Sequence, residues 1–469
     1  LAKQVMTLIE VSRRVFTACF ISAFCALPAI AQAEEELVTP ETWDWTMRAL
    51  KPGPSDRPNH PVNRFSLSLS KAFETSYSQN PNVVAALKNI DLAQAQVRIA
   101  GARPNPQFAL QYGFGTPYTG SISGNTQAVG ANQLFEMGFK RHKRLGYARA
   151  NYLLAEYQLA DLRYDVRSAV RKGYAELAAA EANIDLVENQ KKLVGRLAGI
   201  AEKRYKAGKS EEVELLQSKL AVDQFETLRY SALSRLRQAS IELDYLLGYD
   251  ADRDLDVEDN GLFKLSTQRT ELVPPPDEPL LPVEKLLDVA FQERPDLRAA
   301  KQQVVAARKG ITLAKAQAIP DVLIGSGLVF STYKEMPQQA GAYLNVNVDI
   351  PILYRHQGEI AAAKATHKQA ELQAAAMAQR VEVDVRGAYS ALSAARANLA
   401  HFRKNLIPLA LNVVRKAQDS YENGNSDLGN ALVAQQQFQD TFSNYFDTVV
   451  AYQDAWADLE TAIGKKMEF

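Results

Sequence analysis

The stretch AYLNVNVDIPILYRHQGEI, Ala342 to Ile360, puts Leu344, Val346, Val348 and Ile350 at one parity and Asn345, Asn347 and Asp349 at the other. Period two sends these sets to opposite faces of a sheet. A strand over 342–352 is therefore predicted, running directly into a charged, alanine-rich helix from 357. Three more strands are predicted, over 107–115, 126–136 and 321–331. In the first, Phe108, Leu110, Tyr112 and Phe114 oppose Gln107, Ala109, Gln111 and Gly113. The third follows through Val322, Ile324, Leu328 and Phe330, with Ser326 as an exception, whereas 126–136 alternates poorly and leaves its facing open.

Between the strand pairs the period changes. Helix formers dominate 141–207, 211–248, 357–423 and 427–464. The longest of these spans would measure about 100 Å at the rise of an α-helix. Leu186, Leu193 and Ile200 recur every seven residues with Leu197 between them, which predicts a coiled-coil seam. Pro408 removes a backbone donor and predicts a kink in the third helix.

The chain is also written twice. NPNVVAALKNIDLAQAQVRIAGARPNPQFALQYG from Asn80 overlies RPDLRAAKQQVVAARKGITLAKAQAIPDVLIGSG from Arg294 at an offset of 214. The same offset pairs Arg141-His142 with Arg355-His356, and a drift to 216 pairs Tyr205, Gly208 and Ser210 with Tyr421, Gly424 and Ser426. This gives a first repeat over 66–260, a proline-rich linker over 261–282 containing VPPPDEPLLP, and a second repeat over 283–469.

Composition narrows the setting. Residues 1–33 read as an export signal, with Arg13 and Arg14, an apolar run from Val15 to Ile30, and Ala31-Gln32-Ala33 as a cleavage site. Residues 34–65 then form an N-terminal periplasmic extension. Both cysteines, Cys19 and Cys25, fall inside the signal, and neither context suits lipidation. Equal numbers of basic and acidic residues, 54 each, give no reason to expect a nucleic-acid partner. AGKS at Ala207 to Ser210 has Lys203 where a phosphate loop needs its first glycine, and no clustered triad is seen. An enzyme is not expected, nor is a cofactor.

Alternation alone is equally compatible with a half-buried sheet in a soluble domain. Export, strand lengths of about 9 to 11 residues and the absence of other strand-rich sequence favour a membrane barrel. Four strands cannot close even the eight-stranded bacterial minimum, so the barrel would be shared between copies. Its polar hairpin ends, Thr116 to Asn125 and Ser331 to Gly341, would lie opposite the helices. The expected fold is mainly α with a membrane β portion: a long helical tunnel continued by a barrel.

LSLSKAFETSYSQNPNVVAALKNIDLAQAQVRIAGARPNPQ, YKAGKSEEVELLQSKL, YENGNSDLGNALVAQQQF and the duplication together resemble the TolC-like outer-membrane efflux channels. QLFEMGFKRHKR and VDIPILYRHQGEIAAAKA are most similar to the branch serving heavy-metal cation exporters. The resemblance implies a homotrimer with a twelve-stranded barrel in the outer membrane and a helical tunnel in the periplasm. It also implies a periplasmic adaptor (membrane fusion protein) and an inner-membrane pump of the resistance-nodulation-division type as partners. A multidrug duct, a type I secretion outlet and a periplasmic coiled-coil tether are the alternatives.

Tyr205, Gly208, Ser210, Tyr421, Gly424 and Ser426 mark the helical turns, where glycine suits a left-handed cap, and the resemblance makes these turns adaptor-docking tips. It makes Glu214, Asp427 and Asn430 tunnel-gate candidates, with Asn430 departing from the acid expected there. Gln107, Gln111, Asn345, Asn347 and Asp349 would face a wet lumen. Lys140, Arg141, Lys143 and Arg144 would meet outer-membrane lipid phosphates at the barrel rim. His142 and His356, paired by the repeat, would lie at one level of a trimer. A metal-relay ring is one reading of them, and interfacial histidines without a metal is the other.

Overall fold

The computed structural model describes residues 65–115, 124–249, 255–258, 272, 279–333 and 339–466. The export signal with both cysteines, the extension apart from Phe65, most of the linker, most of the first hairpin end and residues 334–338 of the second lie outside them.

The described chain runs β1 (Phe65–Leu67), α1 (Leu69–Gln79), α2 (Pro81–Gly101), β2 (Gln107–Gly115), β3 (Gly124–Phe135), α3 (Lys140–Lys206), α4 (Glu212–Leu247) and β4 (Leu255–Val257). It continues with α5 (Val283–Glu293), α6 (Pro295–Gln317), β5 (Val322–Tyr333), β6 (Gln339–Val348), α7 (Gln357–His401), a π-turn (Phe402–Leu406), α8 (Ile407–Glu422) and α9 (Leu428–Ile463). After β1, each half thus presents two helices, a strand hairpin, a very long helix and a returning helix.

Local chemistry explains the breaks. Asn80 ends α1 and starts α2: its Oδ1 accepts from the Asn82 N–H at 2.9 Å, and Pro81 occupies a first-turn position where no donor is needed. Gly248 and Gly464 close α4 and α9 in left-handed conformation.

A large core sits at mid-height, where α3, α9 and α7 pack together with α1 and α5. There the buried Tyr174 hydroxyl donates to the Leu67 carbonyl at 2.9 Å, and Arg171 donates to the Leu272 carbonyl at 2.6 Å while lying 3.5 Å from Glu460. These bonds bolt β1 and the linker to the bundle, and β1 pairs in parallel with β4. Nearer the turns, the buried stripe on α3 is Val187, Gln190, Val194, Leu197 and Ala201. Leu197 lies in the stripe as expected, whereas Val187, Val194 and Ala201 take the closest contact in place of the adjacent Leu186, Leu193 and Ile200, which flank it half-buried.

β2, β3, β5 and β6 form one antiparallel sheet in that order, leaving β2 and β6 as edges. The last pair of the β5–β6 ladder is Val322 with Val348. β6 therefore stops four residues before the predicted end and leaves Asp349 beyond the ladder. Pro320 and Pro351 flank this end of the hairpin, and neither has an N–H to donate.

Candidate functional site

Register assigns every strand a face. Gln107, Asn132, Gly325 and Asn345 lie in one row across the sheet, and Ala109, Gly130, Gly327 and Tyr343 in the next. Gln111 and Asn347 share this face, while Phe108, Leu110, Tyr112, Ile324, Leu328, Leu344, Val346 and Val348 share the other. The apolar face is bare: Phe108 is 77% exposed and Leu344 is 73% exposed. β2, β3, β5 and β6 pack substantially on one another alone among the described elements. A bare apolar face of this extent marks an interaction surface. The facing of β3, unreadable in sequence, is set by its register: Asn132 and Ala128 join the polar face, and Val129 and Ala131 the other.

Sequence reasoning missed Asn132 and Tyr343 on the polar face. A Cβ placed on Gly327 would lie 2.7 Å from Tyr343 Cε1. The tyrosine ring therefore covers a glycine trough that spans β5 and β3. Parity with Asn345 alone would have found Tyr343.

Each junction from strand to long helix turns on a residue with φ of 56°, Phe139 in the first repeat and His356 in the second. These two residues are the equivalents. His142 lies three residues inside α3, whereas His356 precedes α7. The offset of 214 thus matches strings rather than positions, because the second junction, Asp349 to His356, is longer than the first, Glu136 to Phe139. Among the described residues, no group of three or more His, Cys, Asp and Glu side chains is placed to hold a metal ion.

Three of the rim cations, Lys140, Arg141 and Arg144, bond within the chain. Arg141 Nε donates to the Gly101 carbonyl at 2.6 Å, and Arg144 donates to the carbonyls of Ala100 and Ala102 at 3.2 Å each. Arg144 also pairs with Glu136 at 2.6 Å, and Lys140 pairs with Asp321 at 2.8 Å. The arginines complete the orphan carbonyls and offset the negative end of α2. At the second junction, Arg355 reaches the Pro351 carbonyl, and Tyr354 donates at 2.7 Å to Glu359 in the first turn of α7.

At the opposite end lie the two helical turns. Gly208 and Gly424 have φ of 67° and 77°. Lys209 and Asn425 N–H groups return to the carbonyls of Arg204 and Ser420 at 2.8 Å, closing both helices in the same way. Asp427 caps α9 by accepting from the Asn430 N–H at 3.1 Å, and Asn430 Nδ2 reaches Ser426 at 3.4 Å. The Ser210 hydroxyl is buried without a hydrogen-bond partner among the described residues.

The tyrosines differ. Tyr205 is 40% exposed, whereas Tyr421 is fully buried against Leu197, Ala201, Leu428 and Ala431. The Tyr421 hydroxyl donates to Glu214 Oε1 at 2.9 Å, and Arg204, unforeseen from sequence, lies with its guanidinium 5.1 Å from the ring centroid. Burial first, and Glu214 second, push the Tyr421 hydroxyl up to about 12, so it remains a donor. Glu214 on α4 and Tyr421 on α8 thus tie the two turns together, while Asp427 and Asn430 serve the cap.

The sequence profile of the outer membrane efflux proteins matches residues 73–249 and 286–465. The chain belongs to the outer membrane efflux protein family. As an outer membrane efflux protein it is a duct rather than an enzyme, and the profile matches each repeat in turn. This efflux protein is 22% identical over 399 residues to the cobalt-zinc-cadmium resistance protein CzcC of Cupriavidus metallidurans, covering 85% of the chain and 90% of CzcC. It is 23% identical over 398 residues to the cation efflux system protein CusC of Escherichia coli, covering 82% of the chain and 84% of CusC. A crystal structure of CusC superposes with a TM-score of 0.68 at 18% identity, covering 88% of this chain and 96% of that one. The Campylobacter jejuni outer membrane channel CmeC superposes at 0.68 and 16% identity, covering 84% and 85% of the two chains. At these identities the structures speak for the fold of this efflux protein.

Proposed function

We propose that this outer membrane efflux protein is one protomer of a homotrimeric exit duct, with twelve strands in the outer membrane and the helices forming a periplasmic tunnel. One observation carries the reading: an open four-stranded sheet, apolar on one side and amide-lined on the other, with both edges unpaired. An exposed edge calls for a strand, and a neighbouring copy supplies it. The apolar face then meets lipid, and Gln107, Gln111, Asn132, Asn345 and Asn347 line water. In planar bilayers the purified full chain conducts ions, and in detergent it runs as a heat-resistant trimer. A monomer that stays soluble without detergent and does not conduct overturns the proposal.

The helical turns, with Tyr205, Gly208, Ser210, Gly424 and Ser426, dock a periplasmic adaptor, which connects the duct to an inner-membrane pump of the resistance-nodulation-division type. The Glu214–Tyr421 tie, held by Arg204, is the gate contact. Similarity to a cobalt-zinc-cadmium resistance protein and to a cation efflux system protein supports heavy-metal cations as cargo. A deletion strain is then sensitised to one or more of zinc, cobalt, nickel, cadmium and copper. Sensitivity to dyes with no change for any metal overturns that assignment.

A further inference from the structure

The polar face of the sheet is also its enclosed face. Along β5, Leu323, Gly325, Gly327 and Val329 are buried or half-buried, while Ile324, Ser326 and Leu328 between them are exposed. β3 repeats the contrast, with Ala128, Gly130, Asn132 and Leu134 covered and Val129 and Ala131 exposed. Among the described elements no helix packs substantially on these strands, so the cover comes from the sheet itself. A sheet curled toward one side crowds the side chains on that side and splays those on the other. The amide face is therefore the concave one.

Glycines make room on that inner side. Tyr343, Gly327 and Gly130 stand in one row across β6, β5 and β3. The Tyr343 ring lies along the row: a Cβ on Gly327 would lie 2.7 Å from its Cε1, and one on Gly130 would lie 3.1 Å from its Cζ and collide with its hydroxyl. One side chain thus reaches over two neighbouring strands, a close approach that residues without a Cβ allow. Asn132 uses Gly325 in the adjoining row in the same way, its amide oxygen taking the place of the missing Cβ. Tyr343 is half-buried as a result, laid against the floor of the face rather than upright from it.

We propose that Gly130 and Gly327 set the bore of the duct at this level by stowing the Tyr343 ring against the wall. Flat in the trough, the ring leaves the lumen open. With a side chain beneath it, the ring stands into the path, and a trimer repeats this three times at one height. Pore diameter then falls where bulky cargo must pass, while small solutes still have room. Gly130 is the sharper position, because the ring hydroxyl is the nearest atom to its missing Cβ and the Ser326 carbonyl comes next at 2.6 Å, whereas at Gly327 the Val129 carbonyl is nearer than the ring. The two glycines are positioning residues for Tyr343, and their effect on the bore rests on the duct reading above.

Thiol access from outside the cell tests it. Asn347→Cys, further along β6 on the same face and nearer the helices than Tyr343, is the reporter in the full chain with Cys19 and Cys25 replaced by serine. Membrane-impermeant maleimides carrying polyethylene glycol of increasing length are added to intact cells. Gly130→Ala slows labelling by the longest reagent that reaches the reporter in the parent chain, by about tenfold, and leaves the smallest reagent unaffected. Adding Tyr343→Ala to Gly130→Ala restores the parent rate, because the obstacle is the ring and not a strand displaced at the Ser326 carbonyl. Tyr343→Ala alone stays within about twofold of the parent for every reagent, since a stowed ring obstructs little. Heat-resistant trimers on detergent gels establish assembly, and Tyr343→Ala carries the test where Gly130→Ala does not assemble. A rise of about tenfold in that variant for the longest reagent means an upright ring and overturns the proposal. A parent rate in Gly130→Ala, or a double variant that stays slow, overturns it as well while leaving the duct intact. A reporter that even the smallest reagent fails to label removes the duct reading, and the bore role with it.

Discussion

The two repeats share one plan and differ in how tightly each is fastened. In the first, Arg141, Arg144 and Lys140 bind the junction to α2 and β5, and α3 descends without interruption. In the second, the described bonds of the junction stay within it and the first turn of α7, the helix breaks at a π-turn, and the tip is held by a buried tyrosine. Duplication supplied two equal halves. Substitution fastened the first junction to distant elements and left the second bonded to its own helix.

The largest expected difference lies between the two tip tyrosines. Tyr421→Ala should destabilise by about 3–5 kcal/mol, the usual range for emptying a buried aromatic site, whereas Tyr205→Ala should stay within about 0.5 kcal/mol as a surface change. Chemical denaturation of the two variants side by side reads this, and equal losses would mean that the tips are alike.

The junctions come next. Arg144→Ala removes a carboxylate partner and two carbonyl bonds, and is expected to lose about 2 kcal/mol, given about 1.5–3 for a charged hydrogen bond and partial exposure here. Arg355→Ala should change stability by less than about 0.5 kcal/mol. Thermal unfolding separates them, and a larger loss at Arg355 would reverse this ranking of the two junctions.

The smallest effect depends on pH. Asp161 on α3 is pushed up to about 6, chiefly by burial and then by Asp165 and Asp296, with Arg294 opposing. The corresponding turn of α7 carries Met377 and Ala378. Because the folded state holds this proton more tightly than the unfolded chain does, stability falls as pH rises from about 4 to about 6 and then levels. Asp161→Asn should remove that fall and gain about 1–2 kcal/mol at neutral pH, after discounting for its partial exposure. Melting temperature followed across pH checks it, and a variant no more stable than wild type at pH 7 would leave the carboxylate without the assigned burden.

Much of this was legible in the chain because it depends on local periodicity. The alternation of β2, β5 and β6 appears in their apolar residues, and Gly208 and Gly424 announce left-handed caps through backbone sterics alone. β3 was not legible, since alanine and asparagine occur on both its faces, Gln127 and Gln133 fall on the apolar one, and register with its neighbours settles the matter. The helical seam was right at Leu197 and one residue off elsewhere, because leucine is the most visible apolar residue, yet the closest approach of helices also selects Val187, Val194 and Ala201. The histidine pairing failed for a related reason: an insertion in the second junction shifts positions while leaving a matching pair of letters.

By itself the sequence determined the repeated order of elements, the faces of three strands and the two tip turns, because each follows from a period or from the steric limits of single residues. The tertiary structure alone decided that Tyr421 is buried while Tyr205 is exposed, that Arg204 joins it, and that the rim arginines serve helix α2. These depend on which distant segments meet, and no local period records that.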